Sequence, residues 1–147
     1  MSSYNNILVV VDLSAASRLI IARAQAVATG TAATISLMHV VEYVPMEPMG
    51  ETVLASVQLE TELVARATTR LTQLAVDTGL NGAVQIVTVG SIKAEIQRAA
   101  EKMLCDLIVV GNHQRHGLKA LLNFTEDAVL HVAPCDVLAV HLPQNSA

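Results

Sequence analysis

The sequence predicts an open, doubly wound α/β domain with a parallel sheet, and three features carry that expectation. Short runs rich in Val, Ile and Leu recur five times along the 147 residues. Amphipathic helical segments separate them, and Gly or Pro punctuates the joins. Parallel neighbours need a crossover, usually a helix, and such crossovers are right-handed. Their strands are covered on both faces, which explains runs without polar alternation.

Ile7-Leu8-Val9-Val10-Val11 is the first strand and ends at Asp12. Ser14 is the expected N-cap of a helix carrying Leu19, Ile20, Ala24 and Val27 on one stripe, stopped by Gly30. Thr34 to Val41 is the second strand, followed by an irregular stretch, Glu42 to Gly50, that holds Pro45 and Pro48. From Glu51 to Thr78, apolar residues at steps of three, four and seven mark a long helix that Gly79 ends. Ala83 to Val89 is the third strand. Gly90 closes it, and Ser91 caps a helix bearing Ile96, Ala99 and Met103. Asp106 to Gly111 is the fourth strand. A last helical segment runs to about Val132, Pro134 blocks its continuation, and Val137 to Val140 form the fifth strand. The last four residues are expected to fray. The length suits one domain spanning residues 1–147.

Composition narrows the function classes. Hydrophobic types make up 52%, charged types 15% and aromatics 2%, with a mean hydropathy of +0.49, which excludes intrinsic disorder. The longest uncharged stretch, Ala24 to Val41, is polar in its middle and is no spanning helix. Met1 to Asn6 lacks the basic and apolar regions of a secretory signal, so a cytoplasmic location without membrane contact is expected. The net charge of −4 and the absence of Lys or Arg runs argue against nucleic acid as a partner. Cys105 and Cys135 have no CxxC spacing and read as apolar core thiols.

Ligands of such sheets bind at the carboxyl ends of the strands. Here those ends offer Asp12, then Val40-Val41-Glu42, Gly90-Ser91 and Gly111-Asn112-His113. The turn after Asp12 has no glycine, so neither a dinucleotide fingerprint nor a P-loop is present, and no GxSxG elbow occurs. No catalytic constellation emerges. His113 and His116 could be two metal ligands, but no third ligand lies at a diagnostic spacing. His39 fits a hydrogen-bonded, half-buried strand residue, and Met38, Met46 and Met49 fit packing and loop positions.

The segment Gly111-Asn112-His113-Gln114-Arg115-His116-Gly117-Leu118-Lys119, the opening Asn6 to Ser14, and the ending Ala133-Pro134-Cys135-Asp136-Val137-Leu138-Ala139-Val140 together resemble the universal stress protein family across essentially the whole chain. The resemblance implies an adenine-nucleotide α-hydrolase-like sheet of order 3-2-1-4-5. ATP-binding members carry G-x2-G-x9-G-[S/T]. Aligned here, Gly111 keeps the first glycine, Gln114 and Phe124 replace the next two, and Thr125 keeps the hydroxyl position. A Cβ at Gln114 penalises positive φ, and Phe124 fills space that phosphate oxygens need. The Gly-x-His-Gln start resembles the A-type branch, whose members typically do not bind ATP.

Local charge points the same way. Thr125 fits as an N-cap with Glu126 and Asp127 in the first turn, where their carboxylates satisfy the positive helix end and repel a triphosphate. Arg115, Lys119, His113 and His116 form the opposing observation: a basic group able to meet phosphate, or a solvated loop beside an acidic helix start. If nucleotide binds, the resemblance implies Asp12 at the ribose, the backbone of Val40 and Val41 at adenine, and Gly111, Arg115, Lys119 and Thr125 at the phosphates. Asp12 is equally readable as a cap for the first helix.

The fifth strand, Val137-Leu138-Ala139-Val140, has no Lys or Pro and is an edge in the implied strand order. The resemblance implies a homodimer formed by antiparallel pairing of that strand with its twofold mate. The leading expectation is a non-catalytic, dimeric stress-response module that works by protein association without bound ATP. The alternative is an ATP-binding sensor with weak hydrolysis on a degenerate glycine loop.

Overall fold

The computed structural model describes residues 3–42, 52–112 and 133–143. In chain order they form β1 (Asn6–Val10), α1 (Ser17–Ala28), β2 (Thr34–Val41), α2 (Thr52–Asp77), β3 (Val84–Val89), α3 (Ile92–Lys102), β4 (Leu107–Asn112) and β5 (Asp136–His141). The five strands lie in the order β3-β2-β1-β4-β5, and every described pairing is parallel. The helical segment expected up to Val132, the stretch from Tyr43 to Gly50 and the last four residues lie outside the described residues.

Strand periodicity divides the core in two. Ile7 and Val9 of β1 face α1 and α2, packing against Ile20, Ile21 and Ala24 of α1 and Leu71 and Ala75 of α2. Leu8 and Val10 face the other way, toward Ile96 and Ala100 of α3. Leu8, Val9, Ile108 and Val109 on central β1 and β4 are fully buried, each contributing ~1.5–3 kcal/mol relative to exposure. The edges differ from this pattern: β3 is half-buried along most of its length, and Val137 and Leu138 of β5 are half-buried. Burial on both faces therefore holds for the middle of the sheet. Edge strands have a neighbour on one side only, so less of their surface is covered.

Glycines end the first two helices where the chain turns left-handed, with φ of 78° at Gly30 and 77° at Gly79. Ser91 caps α3 as the sequence suggests, its hydroxyl accepting the Ala94 N–H at 3.5 Å. Ser14, expected to cap α1, does not: the helix starts at Ser17, and its Ncap residue, Ala16, makes no side-chain cap bond. The intervening residues form a tight turn in which the Ser17 N–H donates to the Ser14 carbonyl at 3.0 Å while Asp12 accepts the Ser14 N–H and the Ser17 hydroxyl. Among the described residues no helix is long and apolar enough to cross a membrane.

Candidate functional site

The carboxyl ends of β1, β2 and β4 open onto one cleft of about 260 Å³. Val10, Ile20 and Ile92 give it apolar walls, and its polar side chains are Asp12, His39 and Glu42. Four residues singled out from the sequence, Asp12, Val40, Val41 and Gly111, all line it. Arg115, Lys119, Thr125, Gln114 and Phe124, with His113 and His116, lie outside the described residues.

Asp12 stands two residues past the end of β1 and turns one oxygen back onto its own chain. Its Oδ1 accepts the Ser14 N–H at 2.9 Å and the Ser17 hydroxyl at 3.3 Å. The backbone between them is strained: Leu13 has φ of 66°, a region that costs a residue with a Cβ roughly 1–2 kcal/mol. Burial of the Leu13 side chain and a hydrogen bond from Arg70 of α2 to its carbonyl hold that conformation. Sequence reasoning missed Arg70. It lies on another helix, 57 positions along the chain, in a pattern that marks it only as a solvent-facing residue.

Val40 and Val41 are buried, one in each core cluster, so their side chains are committed to packing. The Val41 carbonyl already accepts the Gly90 N–H at 3.1 Å. His39, between Met38 and Val40, is half-buried with Nδ1 2.8 Å from the Val11 carbonyl, which ties the ends of β1 and β2 together.

Gly111 has a packing reason to lack a side chain. A Cβ there would sit 2.6 Å from Cδ1 of Ile20 and 2.9 Å from Cδ1 of Leu142. Both neighbours are buried and cannot swing into solvent. This glycine lets α1 and the residue after β5 close on β4, whatever occupies the cleft.

The two thiols are in a different place. Cys105 is buried beneath α3, and Cys135 packs against the same cluster. Burial pushes the Cys105 thiol up to about 11, with Cys135 and Asp106 adding to the effect, and Cys135 is raised mainly by burial. No group of His, Cys, Asp and Glu suited to a metal ion occurs among the described residues.

The strand order, the cleft and the sequence motifs meet in one comparison: residues 3–141 match the model of the Universal stress protein family. The chain belongs to that family. Universal stress protein A homolog 1 of Coxiella burnetii is 39% identical over 142 residues, covering 96% of this chain and 99% of the relative. Universal stress protein UspA from Lactobacillus plantarum superposes with a TM-score of 0.75 at 24% identity, covering 95% of this chain and 99% of the other. A universal stress protein solved in complex with cAMP gives a TM-score of 0.63 at 24% identity, over 95% and 98% of the two chains. At that identity the structural likeness carries the fold, the five-stranded sheet of order 3-2-1-4-5 with helices on both faces. This universal stress protein thus has the family's frame.

Proposed function

We propose that the chain is a non-catalytic, cytoplasmic stress-response module of the A-type branch. It forms a homodimer through its last strand and acts by protein association without bound ATP. The observation that carries this reading is β5. Among the described strands it pairs with β4 alone, so its outer edge is an open row of backbone donors and acceptors. Its residues Val137, Leu138, Ala139 and Val140 include none of the Lys, Pro or bulge devices that normally blunt an edge. Antiparallel pairing with a second copy satisfies those groups isologously.

The absence of ATP is supported by Gln114 and Phe124 in place of motif glycines. The packing role of Gly111 adds to this, because the one glycine that remains has a reason independent of phosphate. Leu138→Pro is expected to give monomer or aggregate in light scattering, and Ala139→Lys a folded monomer. A dimer that persists in both places the interface elsewhere.

A second reading is favoured by the convergence of Asp12, Val40, Val41 and Gly111 on one cleft. In it the chain is an ATP-binding sensor with weak hydrolysis, using Arg115, Lys119 and Thr125 for the phosphates. The relative solved with cAMP adds to its weight. Denaturing extraction of the purified protein, followed by Mg-ATP titration, decides between them. Stoichiometric ATP overturns the first reading. No nucleotide in the extract and no thermal shift at millimolar ATP sinks the second.

A further inference from the structure

The turn that leads into β3 carries the one Asn-Gly pair of the sequence, Asn81-Gly82. Both residues are exposed, and the Ala83 N–H donates to the Leu80 carbonyl at 2.9 Å, so the pair occupies the centre of a four-residue turn. A Cβ at Gly82 would meet no atom within 4 Å beyond its chain neighbours, which leaves the Gly82 nitrogen unshielded. Neither the Asn81 carboxamide nor the Gly82 N–H has a hydrogen-bond partner among the described residues. The other described asparagines differ. Asn5 is followed by an amide that Asp106 holds at 2.9 Å, Asn6 donates its own carboxamide to the Leu104 carbonyl at 3.3 Å and precedes β-branched Ile7, and Asn112 is a residue of β4.

A carboxamide carbon is an electrophile within reach of the next residue's backbone nitrogen. Where that residue is glycine, no side chain hinders the approach and the backbone takes up the dihedrals it needs. We propose that Asn81 is a self-modifying site, at which the Gly82 nitrogen displaces the carboxamide nitrogen and water completes the conversion to aspartate and isoaspartate. Hydroxide takes the Gly82 amide proton. The nitrogen then bonds to Asn81 Cγ while the Cγ–Nδ2 bond breaks, and Nδ2 leaves as ammonia with a proton from water. Water opens the resulting five-membered imide on either side. Cleavage of the new N–Cγ bond gives aspartate. Cleavage of the original peptide bond gives isoaspartate, whose main chain runs through Cβ and Cγ and whose α-carboxylate is free. One water is consumed, one ammonia is released, and the added carboxylate takes the net charge from −4 to −5. The product stands just ahead of Val84, where β3 begins to pair with β2, on the sheet edge opposite β5. It is therefore independent of how β5 associates.

The purified full-length protein tests this when it is incubated folded, at mildly acidic and at mildly alkaline pH. Digestion at acidic pH then prevents conversion during preparation, and the peptides are weighed by mass spectrometry. The Asn81 peptide is expected to gain about 1 Da, at a rate that rises with hydroxide concentration. It is also expected to accept a methyl group from S-adenosylmethionine through a protein-isoaspartate carboxyl methyltransferase. The peptides holding Asn5, Asn6 and Asn112 are expected to keep their mass over the same time. Gly82→Ala puts its Cβ into open space, so the fold is kept, and the conversion slows by about tenfold or more. Asn81→Ser removes the carboxamide and abolishes the methyl transfer. An Asn81 peptide that holds its mass at alkaline pH overturns the proposal. So does conversion no faster than at the other three asparagines, or a wild-type rate in Gly82→Ala.

Discussion

Three residues show how local backbone and burial set chemistry. Leu104 follows α3 with φ of 54°, and its side chain is 79% exposed. It therefore bears the left-handed strain of roughly 1–2 kcal/mol with little packing in return. Leu104→Gly relieves that strain at an unfolded-state entropy cost of ~0.5–1 kcal/mol. An unfolding free energy from urea titration equal to or above wild type is expected, by up to about 1 kcal/mol. Gly111→Ala has the opposite sign. Its Cβ would press on two buried methyls at 2.6 and 2.9 Å, an overpacking that costs ~1–3 kcal/mol on the same urea scale. Cys105 is raised to about 11 from an ordinary value near 9, chiefly by burial. At neutral pH its native thiolate population is about a hundredfold below that of the unfolded chain, and iodoacetamide should modify it correspondingly slowly. The same shift fixes a stability trend. Between pH 9 and 11 the folded thiol keeps a proton that the unfolded one has lost, so stability falls as pH rises through that window.

At the scale of elements, the amino end of the sheet is held by one carboxylate. Asp106, just ahead of β4, accepts the Asn5 N–H at 2.8 Å through Oδ2 and the Asn6 N–H at 2.9 Å through Oδ1. The Asn6 carbonyl in turn accepts the Asp106 N–H at 3.0 Å. Asp106→Ala leaves two backbone donors at the start of β1 without their acceptor and should cost ~1–3 kcal/mol in denaturant unfolding. Asp106→Ser, with one acceptor oxygen, should recover part of that. Nothing in the sequence singles out Asp106 for this work, because its partners lie about a hundred positions away. The elements themselves were legible for the reverse reason. Hydrophobic periodicity, Gly30, Gly79 and the Ser91 cap act within a few residues of where they stand, and the described strands and helices follow them closely. The start of α1 was misread because Ser14 has the right chemistry for a cap, while Asp12, two residues earlier, takes the Ser14 N–H and delays the helix. In the cleft, Asp12, Val40, Val41 and Gly111 were legible from their positions at strand ends. The contacts of His39 with Val11 and of Arg70 with Leu13 depend on pairings that only the folded chain creates.

For the whole molecule, the two sheet edges are not equivalent, and the difference bears on assembly. On β3, Gln85 accepts a hydrogen bond from Thr72 of α2 at 2.9 Å, which ties that edge strand to its covering helix. The β5 edge carries Val137, Leu138, Ala139 and Val140 between Asp136 and His141, with Asp136 bonded to Tyr4 at 2.8 Å. That bond fixes the start of β5 against the beginning of the chain and leaves the apolar middle open to a partner. If β5 pairs with a second copy, folding is linked to association, and apparent stability follows protein concentration by mass action. A hundredfold dilution should then lower Tm by a few °C for subunits of this size. Ala139 is exposed on β5, so Ala139→Lys points into solvent in the isolated subunit and adds a like charge to both strands of such a pair, which weakens the pairing without touching the core. Its Tm should sit at or below the dilute wild-type value and should not move with concentration. A wild-type Tm that stays constant across that dilution, with light scattering at the mass of one chain, excludes β5 as a dimer edge and leaves it a solvent-exposed strand.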